Sequence, residues 1–311
     1  MHEHTSVAAI VASYRPTDDL VGTARALVAQ FDHVVVVDDG SPVEYAGTLD
    51  AIEREGAVVL RRPRNAGIAA VLNAGVAEAN RRWEVDFYLT LDQDSLPVED
   101  YAERAVGAFL DARATGLRVG FVSAASYSGN PVPTLPGRDP SGRFDRPFDP
   151  MQSGFVIPRA TFDRVGPFDE GFVIDGVDSE FTARVRQHGL EIIVGPGCRI
   201  EHQLGSRDVA RWFGRAVQFG GRQIAFNYHS PARVYYICRN GTTITLRYAL
   251  RQPAWVLRRL VEESKAHLMR ALFSPDRLQL AIAASAGFRD ALRRRSGPVP
   301  AALAQRIAKT P

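Results

Sequence analysis

The first 125 residues alternate short apolar runs with helix-compatible stretches, and that rhythm confines the chain to an α/β architecture. Val7–Ser13, Val34–Asp38, Ala57–Leu60, Asp86–Leu91 and Arg118–Ala124 read as strands. Asp18–Gln30, Glu44–Glu55, Ile68–Arg81 and Glu99–Ala114 read as the helices between them. Val34–Asp38 is almost continuously apolar, as expected of a strand buried on both faces, so a mainly parallel sheet with helices on both sides is expected. Ligands of such sheets sit beyond the carboxyl ends of the strands.

The pattern then changes. Ser126–Pro150 is rich in Gly, Pro, Ser and Asp without an apolar period and reads as a long loop of the kind that often carries function. Met151–Pro158 resumes a strand, Asp178–His188 is helical, and Glu191–Val194 and Arg199–His202 are strand-like. Further helices are expected over Asp208–Phe226, Pro231–Leu250, Trp255–Phe273 and Arg277–Arg295. Leu257, Leu260, Val261, Leu268 and Leu272 recur at helical spacing with basic residues between them. The chain thus divides into a domain over 1–230, with halves at about 1–125 and 126–230, and a basic helical region over 231–311.

Charge is spread unevenly. From Arg247 onward, thirteen Lys and Arg stand against four Asp and Glu, a balance of +9 that leaves −6 on the preceding 246 residues. An acidic front suits cations, and a basic tail suits phosphates or an anionic surface. The longest apolar stretches, such as Val7–Ala12 and Leu280–Ala284, fall far short of the roughly 18 residues of a membrane span. The polar start Met1–Ser6 lacks the apolar core of a signal peptide. Cys198 and Cys238 show no CxxC spacing, which indicates neither a disulfide framework nor a zinc cluster. A cytoplasmic protein is the expectation.

Four strand ends carry polar signatures: Ser13-Tyr14-Arg15-Pro16, Asp38-Asp39-Gly40-Ser41, Arg64-Asn65-Ala66-Gly67 and Leu91-Asp92-Gln93-Asp94. One Asp after a strand is as readily a helix cap or turn residue as a ligand. Four such sites on one sheet edge are harder to explain as caps. Asp92 and Asp94 stand two apart, and in extended geometry their side chains point the same way. Two neighbouring carboxylates favour a cation, and hard oxygen ligands suit Mg2+ or Mn2+ completed by substrate phosphates. Asp178 opens a helix as an N-cap or, at the same time, as a general base for a hydroxyl. His202 ends a short strand 24 residues later and is a candidate third metal ligand.

Further pieces extend the series: Asn65–Asn73, Ser153-Gly154, Ile174–Phe181, Glu201–Gly205 and Tyr235-Tyr236-Ile237-Cys238-Arg239-Asn240. In this order, and with Tyr14, Val35–Ser41 and Leu91–Asp94, the chain resembles the inverting GT-A glycosyltransferases of family 2, and among them the rhamnosyltransferase branch. The resemblance covers roughly residues 5–245. It implies a GT-A fold, a Rossmann-like sheet whose nucleotide-sugar half is about 1–125 and whose acceptor half is about 126–230. It implies that Tyr14 and Asp39 hold the donor's base, with Asp38 supporting that loop and Asn65 and Gly67 shaping the pocket. Asp92 and Gln93 then belong to donor binding, Asp94 with Asp92 and His202 to the metal, and Asp178 to catalysis as the base. Gln152, Ser153, Gly154 and Glu180 approach the donor sugar or acceptor. Where the family commonly has a Glu-Asp pair, this chain has Val177-Asp178.

The implied reaction is a metal-dependent transfer, with inversion, of a sugar from a nucleotide diphosphate onto a glycan or lipid-linked hydroxyl. L-rhamnose from dTDP-rhamnose is the donor the branch suggests, and a UDP-sugar-dependent galactofuranosyl- or glucosyltransferase stays open. A nucleotide-sugar pyrophosphorylase would carry a Gly-rich basic loop where this chain has Tyr14-Arg15-Pro16, and a dehydrogenase a GxGxxG. A non-catalytic sugar-nucleotide-binding protein would tolerate loss of Asp178. The basic tail is either a solvated helical face or a dock for an anionic membrane. Nucleic acid is disfavoured by the acidic front, and a homo-oligomer stays open.

Overall fold

The computed structural model describes residues 5–202, 208–209, 211–212, 215–216, 218–220, 222–223, 225–226 and 228–308; the His202 side chain lies outside the described part. The chain packs as two units. The first comprises Met1–Glu170 and Val177–Gln203, the second Gly171–Gly176 and Leu204–Pro311.

The first unit opens with β1 (Val7–Ser13), α1 (Asp19–Gln30), β2 (His33–Asp38), α2 (Ala46–Arg54), β3 (Val58–Arg61), α3 (Ile68–Arg82) and β4 (Phe87–Asp92). It continues with β5 (Ser95–Pro97), α4 (Tyr101–Ala114), β6 (Val119–Ser123), β7 (Ser126–Tyr127), β8 (Asn130–Pro131), β9 (Thr134–Arg138) and β10 (Asp145–Pro147). β11 (Phe155–Pro158), α5 (Arg159–Val165), α6 (Val177–Gln187), β12 (Glu191–Val194) and β13 (Arg199–His202) complete it. Seven strands form one sheet in the order β12-β6-β11-β4-β1-β2-β3. β1 runs parallel to β2 and β4, β2 to β3 and β12 to β6, while β11 runs antiparallel between β4 and β6. The expected mainly parallel α/β sheet is therefore present.

Both faces of that sheet are dry, which explains the unbroken valine run of β2. Ala9, Val11, Val34 and Val36 join one buried cluster with Leu20 and Leu27 of α1 and Phe109 of α4. The alternate residues Ile10 and Val37 face α3, which approaches so closely that a Cβ on Gly75 would lie 2.3 Å from Ile10 Cγ2 and 3.1 Å from Val37 Cγ2. Towards the β6–β11 side, Phe121 stacks on Phe155 at 4.2 Å, and the rings of Phe168 and Phe181 pack at a tilt with centroids 4.5 Å apart. These phenylalanines seat α6 on the sheet. A second, four-stranded sheet in the order β5-β13-β7-β8 pairs Ser95 with His202 and Ser126 with Arg199.

In the second unit, α7 (Pro231–Tyr248), α8 (Pro253–Phe273), α9 (Arg277–Leu292) and α10 (Ala301–Ile307) carry the expected helical character. Ser230 caps α7 by accepting from Arg233 N, and Pro231 fills the first turn where no N–H is required. Tyr235, Tyr236, Ala283, Ala286 and Ile307 form its buried cluster. The Tyr235 hydroxyl donates to Asp290 at 3.0 Å. Among the described residues no helix is long and apolar enough to cross a membrane.

Three expectations change. The loop Ser126–Pro150 contains the four short strands β7 to β10, and α5 begins directly after Pro158, where Met151–Pro158 announces only a strand. Within the span Asp208–Phe226, where a helix is expected, the described residues form three antiparallel pairs of two-residue strands instead. The third of these pairs, Gln218–Phe219 with Arg222–Gln223, turns at Gly220, whose φ of 57° lies in the left-handed region and breaks helical periodicity. A test of the sheet–α3 contact is Gly75→Val: the added methyls meet Ile10 in a full core, so stability falls by about 1–3 kcal/mol, read as a lower denaturation midpoint.

Candidate active site

The site is built where the sheet runs out of strand. The parallel register sets Ser13 beside Asp38 and Ala12 beside Asp92, so the polar ends of β1, β2 and β4 lie level along one edge. After β2 the chain turns sharply. Asp38 accepts from Ser41 N at 2.9 Å and from Ser41 Oγ at 2.5 Å, and Ser41 Oγ in turn accepts from Arg15 N at 2.7 Å. Gly40 has φ +73°, and a Cβ there would sit 2.6 Å from Arg64 backbone atoms, so glycine alone permits this approach. Asp39 is buried and accepts from Ala66 N at 3.0 Å, Gly67 N at 2.8 Å and the Arg62 guanidinium at 3.2 Å. Asp38 thus braces its own turn, whereas Asp39 ties that turn to the loop before α3. Asn65 lies exposed in that loop.

β1 and β4 are joined at their ends by Tyr14 N, which donates to Gln93 Oε1 at 3.0 Å. Tyr14 itself is 39% exposed beside this junction. Gln93 and Asp94 form the turn between β4 and β5, so the extended geometry expected of Asp92–Asp94 does not persist beyond Asp92. Asp94 is exposed on that turn and Asp92 half-buried at its root.

β11 supplies the other wall. Its antiparallel insertion sets Phe155 against Thr90 and brings Gln152–Gly154 onto the end of β4. Gln152 Nε2 donates to Asp92 Oδ1 at 2.5 Å, and Asp92 N donates to Ser153 Oγ at 3.1 Å, which donates onward to Ser95 Oγ at 2.8 Å. Gly154, at φ +95°, gives its N–H to Thr90 O at 2.6 Å and its carbonyl to the Tyr101 hydroxyl at 2.6 Å. The Tyr127 hydroxyl donates to Ser153 O at 2.7 Å and Met151 O at 3.1 Å. Burial, and then the charges of Asp92 and Asp178, push the Tyr127 phenol well above its usual range.

Asp178 is the second residue of α6, half-buried, and accepts from Ser179 N at 2.8 Å. Ser179 Oγ donates to Asp149 at 2.8 Å, which fixes the first turn of the helix. Glu180 does not share this environment. It is 2% exposed and engages Arg184 one turn on, at 2.9 Å, while Arg184 also reaches Val165 O.

Among the described residues no three carboxylate, imidazole or thiol groups cluster closely enough to hold a metal by themselves. The His202 side chain is outside the described part; its backbone pairs with Ser95, the residue after Asp94. An exposed carboxylate on a turn with a second at its root fits a hard divalent cation that shares its coordination with phosphate oxygens, rather than a cage made wholly by protein. Tyr127, Ser95, Arg62 and Asp149 were not singled out from sequence. Ser126-Tyr127 lies three residues beyond the end of β6, whereas Asp38 and Asp92 themselves end β2 and β4.

Residues 8–157 match the family described as Glycosyl transferase family 2. The chain is 24% identical over 249 residues to the dTDP-rhamnosyl transferase RfbF of Shigella flexneri, covering 76% of this chain and 79% of that one. It is 27% identical over 241 residues to the Pre-mycofactocin glycosyltransferase of Mycobacterium tuberculosis, covering 72% of this chain and 47% of the relative. In structure it is similar to the mannosyltransferase PcManGT of Pyrobaculum calidifontis, a complex with GDP-Man and Mn2+, at 16% identity, a TM-score of 0.54 and coverage of 95% and 89% of the two chains. It is also similar to S. aureus TarS 1-349, at 17% identity, a TM-score of 0.57 and coverage of 92% and 81%. The matched segment spans β1 to β11 and thus the strand ends that carry Asp38, Asp39, Asp92 and Gln152–Gly154, so this part of the chain is similar to the family 2 glycosyltransferases and its fold is GT-A-like.

Proposed function

We propose that the chain is a metal-dependent, inverting glycosyltransferase that moves a sugar, best read as L-rhamnose from dTDP-rhamnose, onto a hydroxyl of a glycan or lipid-linked glycan. The observation that carries the reading is the alignment of polar strand ends along one sheet edge, with Asp92 held by Gln152, in a segment that matches the family 2 model. The relative named as a dTDP-rhamnosyl transferase supports the choice of donor.

In this reading Tyr14, Asp39, Asn65 and Gly67 line the base of the donor, and Gln93 fixes the Tyr14 backbone against the turn. Asp92, Asp94 and His202 would hold Mg2+ or Mn2+. A cation bound there neutralises charge on the departing nucleoside diphosphate. Asp178 takes the proton of the acceptor hydroxyl as its oxygen bonds to the anomeric carbon. The bond from that carbon to the diphosphate oxygen breaks with its electron pair, on the face opposite the attack, and configuration inverts. Gln152, Ser153 and Gly154 form the wall against Asp92, so they orient the sugar between the two carboxylates. Glu180 serves the site indirectly, by bracing α6 through Arg184.

We infer in addition that the acceptor is membrane-borne and that the second unit docks on an anionic surface. Leu257, Leu260, Val261, Leu268 and Leu272 are exposed on α8, and Leu260, Val261, Ser264, Lys265 and Leu268 line a shallow apolar groove. The segment around them carries the +9 balance, and each basic residue near an anionic leaflet contributes about 1 kcal/mol.

Three outcomes test these readings. Exhaustive chelation abolishes release of nucleoside diphosphate from a panel of nucleotide sugars with acceptor, and Mg2+ or Mn2+ restores it; full activity after chelation overturns metal dependence. Asp178→Asn lowers turnover by about 10²–10⁴-fold with nucleotide affinity nearly unchanged, the usual contribution of a general base; a normal rate, or lost affinity, removes Asp178 from that role. The full chain co-sediments with anionic vesicles at low salt and less at high salt, where the Debye length falls below about 8 Å. Leu257→Ser combined with Leu268→Ser weakens that binding, and a full chain that ignores anionic vesicles at low salt refutes the membrane reading.

A further inference from the structure

The segment Gly171–Gly176 belongs to the second unit and passes by chain continuity directly into α6 of the first, whose second residue is Asp178. The segment is not regular structure, and its exit is turned. Asp175 has φ 60° and Gly176 φ 84°, two consecutive residues in the left-handed region immediately before the helix. Such a turn holds its shape only when its surroundings hold it.

Those surroundings are the Arg239-Asn240 pair of α7, a motif to which the reaction itself assigns nothing. Asn240 is 2% exposed, and its Nδ2 donates to Ile174 O at 2.9 Å and to Asp175 O at 2.7 Å. Its Oδ1 accepts from Arg239 Nε at 2.9 Å, which settles which way the amide is turned. Arg239 is 1% exposed and donates from Nη2 to Gly171 O at 3.0 Å and from Nη1 to Gly297 O. Both ends of the segment are thereby fixed from one turn of one helix. Arg233, a further two turns back, grips the Asp175 carboxylate through Nε at 3.1 Å and Nη2 at 2.9 Å. The packing is close as well: a Cβ on Gly176 would meet Ile244 Cδ1 at 3.2 Å and Asn240 Cβ at 3.4 Å.

We propose that Asn240 is a positioning residue for Asp178, acting through the carbonyls of Ile174 and Asp175, with Arg239 and Arg233 as its supports. It touches no reacting atom. It sets where α6 begins, and so where the carboxylate two residues further on stands relative to an acceptor hydroxyl. The proposal rests on the reading of Asp178 as the general base, and its test separates the two.

The experiment compares the wild-type chain, Asn240→Ala, Asp178→Asn and the double variant, measuring nucleotide affinity by calorimetry and kcat by nucleoside diphosphate release. Asn240→Ala is expected to lower kcat by about 10- to 100-fold, the cost of a misplacement of the order of 1 Å, with nucleotide affinity unchanged. The double variant is expected to turn over no more slowly than Asp178→Asn alone, because a displaced base that is already disabled loses nothing further. An Asn240→Ala chain with wild-type kcat overturns the proposal, as does a double variant in which the two losses multiply. A normal rate in Asp178→Asn alone overturns the general-base reading and is visible independently of Asn240. If Asn240→Ala does not fold, Arg233→Ala takes its place in the same cycle. Arg233 is about half exposed, so its loss leaves the core intact, and the same non-additivity with Asp178→Asn is expected.

Discussion

The backbone of Thr90 on β4 is the point on which the site depends. Its carbonyl accepts from Gly154 N, and its hydroxyl donates to Gln152 O, both at 2.6 Å. Thr90 is wholly buried, so neither bond has water as an alternative partner, and breaking either would leave a polar group unsatisfied at a cost of about 1–3 kcal/mol. This pairing locks the turn before β11 onto the end of β4. Everything else at that end follows: Gln152 reaches Asp92, Ser153 bridges Asp92 N to Ser95, and Tyr127 closes over the carbonyls of Met151 and Ser153. The antiparallel direction of β11 is what allows it, because a parallel strand would have delivered the opposite end of the segment to this edge.

Electrostatics gives that scaffold its chemical character. Burial first, and then the charges of Asp92 and Asp178, raise the Tyr127 phenol above its ordinary range, and its hydroxyl donates to the carbonyls of Ser153 and Met151. Asp38 and Asp92 lie at strand ends along one sheet edge, with Asp39 and Asp94 directly after them, in keeping with the −6 carried by the residues before Arg247. Such an edge repels a bare diphosphate. In the proposed reaction it would accept one accompanied by a divalent cation, so the charge distribution and the proposed donor argue for the same partner.

The strands were legible because burial on both faces demands unbroken apolar runs, and helices were legible because each presents one apolar stripe. β11 could be found as an apolar run, but not its direction, since direction is decided by pairing partners that local composition does not encode. Strand ends point to Asp38 and Asp92 because parallel register brings the ends of β2 and β4 level on either side of β1. The assumption of extended geometry through Asp94 failed because a tight turn to β5 intervenes. Tyr127 was obscured by a loop rich in Gly, Pro and Ser, where a single aromatic carries no periodic signal. Glu180 could have been read otherwise: Arg184 stands four residues on, the spacing of a helical ion pair.

The hold on Gly171–Gly176 can be apportioned by magnitude. A non-glycine residue in the left-handed region costs of order 1–3 kcal/mol, less for Asp than for most, so Asp175 at φ 60° calls for comparable stabilisation nearby. The Arg233–Asp175 pair is bidentate, but Arg233 is 46% exposed and screened, which limits it to about 0.2–1 kcal/mol. Asn240 is buried, and its two bonds contribute about 0.5–1.5 kcal/mol each. The neutral amide therefore outweighs the visible ion pair, and the conformation that leads into Asp178 is set chiefly by a side chain that carries no charge.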